Sequence, residues 1–122
     1  MSQMLIAIVD DEEPVRDATK SLVRSLGYHA STFASADEFL KFQQIHDTSC
    51  LITDVQMPGL NGLDLQDHLI ARGHCIPIIF MTGFPNDSVR ARAMKAGAVC
   101  FLNKPFSEGH FIGCIEKALK VA

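Results

Sequence analysis

Short apolar runs alternate with helical patterns five times along the 122 residues. Few architectures accept that alternation. Strand, helix and strand in succession make a parallel crossover unit, and repeated units build a doubly wound sheet. Met4 to Val9 is the first run. Pro14 then suits the first turn of a helix, where the N–H it lacks would have no partner. Val15, Ala18, Leu22, Val23 and Leu26 keep helical spacing, and Gly27 ends the pattern. Tyr28 to Ala34 reads as the second strand. Ser35 with Glu38 makes a capping box for a short helix carrying Phe39, Leu40 and Phe42.

Cys50 to Thr53 is the third strand. The third helix covers Gly62 to Ala71 and is closed by Gly73. Ile76 to Met81 is almost continuously apolar, as expected of a strand covered on both faces. A fourth helix runs from Asn86 to Ala96, with Gly97 after it. Ala98 to Leu102 is the fifth strand, and the last helix starts near Ser107. Right-handed crossovers place helices on both faces of such a sheet. The length suits a single domain over residues 1–122. The pattern ends with the fifth helix, so no room for a second domain is expected within these residues.

Composition narrows the function classes. A net charge of −3 without a basic stripe argues against nucleic-acid binding by this chain. No apolar run approaches a membrane span, and Met4 to Val9 is too short for a signal-peptide core. A cytoplasmic protein with no membrane contact is expected. Cys50, Cys75, Cys100 and Cys114 form no C-x-x-C pair and read as free, mostly buried thiols. The five histidines show no metal-ligand spacing.

The ends of four strands carry matching chemistry. In a parallel sheet all strand C-termini lie on one edge, where open α/β folds bind ligands. Asp10 and Asp11 leave the first strand, Asp54 the third, Thr82 the fourth and Lys104 the fifth. Each residue alone has a plain reading as a cap, a turn residue or a solvated charge. Together they predict a pocket of three carboxylates and one cation. Two carboxylates about 4 Å apart repel by roughly 1 to 4 kcal/mol, depending on the dielectric. Lys104 offsets part of that repulsion. A hard divalent ion can offset the rest, and oxygen ligands with open water positions favour Mg²⁺. An aspartate so placed can attack a phosphoryl group and form an aspartyl phosphate. Such transfer needs positioning and charge neutralisation above all.

These residues resemble the receiver domain of two-component response regulators, and the match covers essentially the whole chain. Its signatures are Val9-Asp10-Asp11-Glu12, Asp54-x-x-Met57-Pro58-Gly59-x-x-Gly62, Met81-Thr82-Gly83 and Lys104-Pro105-Phe106. The segment from Ala93 to Phe106 looks most like the FixJ type. The resemblance implies a flavodoxin-like five-stranded sheet in the order 2-1-3-4-5. It implies Asp54 as phosphoacceptor and a histidine kinase as phosphodonor. Asp11 and Asp54 would ligate Mg²⁺ with the backbone carbonyl of Gln56, and Asp10 would act mainly through water. Thr82 and Lys104 would hold the phosphoryl group, and Phe101 would turn inward as Thr82 moves. The Lys104–Pro105 bond is expected to be cis. The signal would pass to the face of helix 4, strand 5 and helix 5, and from there to an output domain, a partner protein or a second copy.

Gln56 and Phe84 occupy the positions that tune the aspartyl phosphate's lifetime in this family, and Phe84 offers no polar group to an attacking water. The stretch Phe84-Pro85-Asn86-Asp87 departs from the Gly-His-Gly-Asp loop common in FixJ-type receivers. Beyond its own phosphorylation and slow dephosphorylation, no enzymatic activity is expected. A hydrolase with an aspartyl nucleophile would want a second acid two residues after Asp54, where Gln56 stands. A degenerate receiver that only binds partners would have lost some of Asp10, Asp11, Asp54, Thr82 and Lys104. Relief of carboxylate repulsion by Asp11→Asn is expected to stabilise the metal-free protein.

Overall fold

The computed structural model describes residues 4–84 and 86–121. Strands β1 (Leu5–Val9), β2 (His29–Phe33), β3 (Thr48–Asp54), β4 (Ile78–Thr82) and β5 (Cys100–Asn103) alternate with helices α1 (Glu13–Ser25), α2 (Ala36–Leu40), α3 (Gly62–Ala71), α4 (Asp87–Lys95) and α5 (Glu108–Val121). All strand pairs are parallel, and the sheet order is β2-β1-β3-β4-β5. This is the flavodoxin-like order.

Side-chain alternation along each strand divides the core in two. Ala7 and Val9 of β1 point to the face covered by Phe39 of α2, Leu65 and Leu69 of α3 and Ala93 of α4. Ile6 and Ile8 point to the opposite face, against Val23 of α1 and Phe111, Ile115 and Ala118 of α5. Strands β3 and β4 lie at the middle of this sandwich and are buried along almost their whole length. Their continuous apolar sequences have that cause.

Element ends differ from the sequence reading by a residue or two, for local reasons. β4 begins at Ile78. Pro77 has no N–H to give the ladder, and only its carbonyl pairs, accepting from Leu51. Phe42 lies beyond the short α2. It packs edge-on against Phe33, and a single 3-10 turn at Ile45–Asp47 follows. Ser35 accepts from the Glu38 backbone N–H, the one arm of its capping box in place. Both arms are formed by a pair the sequence did not suggest, Asn61 and Asp64 at the start of α3. Ser107 caps α5 by accepting from the His110 N–H.

Gly62 carries the close approach that joins α3 to the sheet edge. Its N–H donates to the Val55 carbonyl at 2.8 Å. A Cβ there would collide with the Asp54 carbonyl oxygen and sit 3.1 Å from both Phe80 Cε1 and Val55 Cα. Since the backbone on one side cannot yield, Gly62→Ala is expected to lower stability by about 1–3 kcal/mol in urea titrations. An unchanged midpoint would show that α3 can shift freely from β3.

Candidate functional site

The strand ends converge as the topology requires. Asp10 follows β1, Asp54 closes β3, Thr82 closes β4 and Lys104 follows β5. Main-chain bonds fix their spacing: Asp10 N–H to Phe33, Val55 N–H to Met81, and Lys104 N–H to Thr82 at 2.7 Å. The Lys104 ammonium donates to Asp54 Oδ2 at 2.9 Å and to Asp10 Oδ2 at 3.3 Å. Residues 94 and 50 positions away from Lys104 thus share one cation. The Lys104–Pro105 bond is cis, as the resemblance implied.

Each carboxylate is also oriented by the backbone. Asp10 Oδ1 accepts from the Glu12 N–H at 2.9 Å, and Asp54 Oδ1 accepts from the Gln56 N–H at 3.2 Å. Asp10 is fully buried, and Asp54 retains 6% exposure. Above them lies a 170 Å³ cavity lined by Asp11, Glu12, Asp54, Gln56, Gly83, Phe84 and Lys104. Its opening gives a small anionic group access to Asp54, while Asp10 stays underneath.

The acidic cluster differs in one member from the set the resemblance implied. Carboxylate oxygens of Asp10, Glu12 and Asp54 lie within 4.8 Å of one another. Asp11 is exposed on the cavity wall and stands outside that cluster. Glu12, itself exposed, precedes α1 in extended conformation. The acidic run 10–13 marked this corner of the chain, but residue type alone could not say which carboxylates approach one another. Three hard oxygen donors against a single ammonium make a site that fits a divalent cation such as Mg²⁺.

Electrostatics point the same way. Burial raises the Asp10 carboxyl above its ordinary value of 3.8. The Glu12 N–H and Lys104 pull it down, the Asp54 charge pushes it up, and the net shift is upward. Burial alone would lower Lys104, but the hydrogen bond to Asp54 and the charges of Asp10 and Asp54 outweigh it and raise its pKa. One ammonium divided between two carboxylates stays protonated yet fails to cover the desolvation of the deeper one.

Thr82 is buried, with its hydroxyl turned toward the loop after β4. Its Oγ1 accepts from the Phe84 N–H at 3.0 Å and makes a longer 3.4 Å contact to the Phe84 carbonyl. The Phe84 ring is 68% exposed at the cavity rim, and Gln56 is exposed. Pro85 lies outside the described residues. Phe101 is half-buried, 6.1 Å from the Phe80 ring, and also lines the groove between α4 and α5. Two supporting residues were not anticipated. The Arg16 guanidinium of α1 donates to the Asp10 carbonyl at 2.8 Å. Buried Gln66 of α3 donates from Nε2 to the Ala93 carbonyl, tying α3 to α4. Neither carries a motif; only the packing of the helices brings them to their partners.

Residues 6–116 match the model of the response regulator receiver domain family. The chain belongs to that family. It is 44% identical over 120 residues to the response regulator protein TmoT of Ectopseudomonas mendocina, covering 98% of this chain and 54% of TmoT. It is 37% identical to the transcriptional regulatory protein FixJ of Azorhizobium caulinodans, covering 93% and 54% of the two chains. The crystal structure of FixJ-N superposes with a TM-score of 0.90 at 36% identity, covering 100% of this chain and 98% of that one. This receiver is therefore CheY-like and similar to the FixJ type. The chain spans about half the length of the curated relatives it matches. Among the described residues, no helix is long and apolar enough to cross a membrane.

The raised Asp10 pKa makes a signed prediction for the receiver without metal. The folded state holds this proton more tightly, so stability falls as pH rises from 3.8 through the raised folded value and then levels. The Lys104 contribution has the opposite origin: present below 10.5, it is lost as pH climbs through the raised folded value. In EDTA, Asp10→Asn is expected to flatten the acid-side fall and to raise stability at neutral pH by on the order of 1 kcal/mol. Asp10 is buried within the cluster, whereas Asp11 is exposed and outside it, so the larger relief is expected at Asp10. Asp11→Asn should change stability by less than about 0.5 kcal/mol. Urea titrations across pH check both, and equal effects of the two variants would contradict this assignment.

Proposed function

We propose that this receiver is a phosphorylation-dependent switch in which Asp54 accepts a phosphoryl group from a histidine kinase. The supporting observation is the Lys104 ammonium, which bridges Asp54 and Asp10 at the floor of a cavity sized for a small anion. Lys104 and the Gln56 N–H orient the Asp54 carboxylate so that an oxygen can approach phosphorus in line. A new bond forms from the Asp54 oxygen to phosphorus. The bond from phosphorus to the donor imidazole nitrogen breaks, and its electron pair stays on that nitrogen. Lys104 then meets a phosphoryl oxygen in place of part of the carboxylate charge, and the Thr82 hydroxyl can exchange Phe84 for another. When bound, Mg²⁺ would neutralise the carboxylates and polarise the phosphoryl group. Asp10, Asp11, Asp54 and the Gln56 carbonyl are the holders implied by resemblance, and Glu12 joins them on geometry.

Output follows from a difference between two states. Thr82 and Lys104 would gain phosphoryl-oxygen partners that they lack otherwise, and such differential contacts are what can bias a bistable element. The face formed by α4, β5 and α5 is the proposed element, with Phe101 as the side chain that responds. Half-length coverage of the relatives, and the name transcriptional regulatory protein carried by FixJ, support an output domain that controls transcription. A phosphorylation-dependent homodimer through the same face is the companion expectation.

Incubation with acetyl phosphate and Mg²⁺ should add one phosphoryl group by intact mass, and none in Asp54→Asn or in EDTA. Rapid release of phosphate over many turnovers would favour a hydrolase instead, and no adduct would favour a degenerate binding module. The decay of the adduct tests Phe84. A polar side chain at the rim should help orient water, so Phe84→Glu should shorten the lifetime several-fold. An unchanged lifetime would remove Phe84 from the set of tuning residues.

A further inference from the structure

The edge of the sheet opposite Asp54 brings two histidines together. His46 stands in the 3-10 turn Ile45–Asp47 that leads into β3. His74 stands in the loop between α3 and β4. Their ring centres lie 4.9 Å apart, with the planes inclined by 51°. His46 is exposed and His74 half-buried, so solvent reaches the pair. The main chain pins both residues. Ile45 is buried beneath the turn, and the Asp47 N–H donates to the Gln44 carbonyl at 2.9 Å. Gly73 follows α3 at φ 77°, and the His74 N–H then donates back to the Leu69 carbonyl at 2.9 Å. The Leu51 N–H donates to the Pro77 carbonyl, which holds the loop after His74 against β3. Only side-chain torsions remain for the two rings to settle.

Two imidazoles that share one ion must meet a narrow spacing. With metal–nitrogen bonds of about 2.0–2.1 Å in neighbouring coordination positions, the ring centres fall about 4.5–5 Å apart. The separation of 4.9 Å lies in that range. The donor set then selects the ion. Among the described residues, no third His, Cys, Asp or Glu ligand atom joins the pair within 4.8 Å. Two imidazoles fall short of the closed four-ligand shell of structural zinc. Hard Mg²⁺ prefers carboxylate, carbonyl and water oxygens. Two nitrogen donors with water in the other positions suit the tetragonal coordination of Ni²⁺ or Cu²⁺.

We propose that His46 and His74 form a binding site for a borderline divalent ion of the nickel and copper class, at the sheet edge opposite Asp54. Each imidazole gives one ring-nitrogen lone pair, and water fills the remaining positions. A bound ion clamps the turn before β3 to the loop before β4. The length of β3 puts roughly 20 Å between this pair and Asp54. The site needs no phosphoryl group at Asp54, so it stands or falls separately from the proposed switch.

The test is calorimetric titration of the full chain, free of any polyhistidine tag, with Ni²⁺ in excess Mg²⁺ to mask the acidic pocket. One Ni²⁺ per chain should bind, at least tenfold more weakly in His46→Ala and in His74→Ala. His68→Ala, which removes an exposed imidazole of α3, and Cys75→Ser, which removes the exposed thiol beside His74, should bind as the wild type does. The urea midpoint should rise with Ni²⁺ in the wild type and stay unchanged in His74→Ala. Substoichiometric Ni²⁺, paramagnetic in water-completed coordination, should broaden wild-type amide resonances first around positions 46 and 74. No binding, which rings that only pack together would give, would overturn the assignment. So would full binding in both alanine variants, dependence on His68 or Cys75, or broadening confined to positions 10–12 and 54. Because the broadening is read on wild-type protein, it decides the matter even if an alanine variant folds poorly.

Discussion

One ammonium shared by two carboxylates organises the functional edge of this receiver. Lys104 reaches Asp54 at 2.9 Å and Asp10 at 3.3 Å, drawing the ends of β5, β3 and β1 to one point. No local segment could do this, since the three residues meet only when the sheet adopts its 2-1-3-4-5 order. The arrangement is left short of positive charge. Asp10 is desolvated beneath the ammonium, and Glu12 brings a third carboxylate within 4.8 Å. Removal of Lys104 from such a cluster would leave buried carboxylates uncompensated, which is costly. The same deficit makes the cavity receptive to a divalent cation.

Much of this edge is legible in the amino-acid sequence. The alternation of apolar runs and helical patterns specifies the strands, because period and run length follow directly from burial on one face or two. Asp10, Asp54, Thr82 and Lys104 can be placed together because parallel strands end on one edge. Other features depend on three-dimensional detail that residue type does not encode. Glu12 rather than Asp11 comes within 4.8 Å of Asp10 and Asp54, although both are exposed. The complete capping box belongs to Asn61 and Asp64, while Ser35 keeps a single arm. His46 and His74, which are far apart in sequence, bring their rings to 4.9 Å.

In the proposed switch, the link from site to surface would run through contacts of unequal strength. Thr82 is held by one good hydrogen bond and one 3.4 Å contact, both to Phe84. The weaker contact is easily exchanged for a strong phosphoryl acceptor. Beyond Thr82, α4 is tied to α3 by buried Gln66 and by the exposed Arg92–Asp67 pair at 2.8 Å. An exposed pair of that kind contributes little, so Gln66 is the firmer tether. The groove beside Phe101 lies between this tethered helix and α5.

Chemical location of the phosphoryl group tests the central claim most directly. Borohydride reduces an aspartyl phosphate to homoserine, which peptide sequencing by mass can place. After phosphorylation by acetyl phosphate and reduction, homoserine is predicted at position 54 and nowhere else. Homoserine at position 10 or 11, or a phosphorylated chain that yields none, would contradict the role assigned to Asp54.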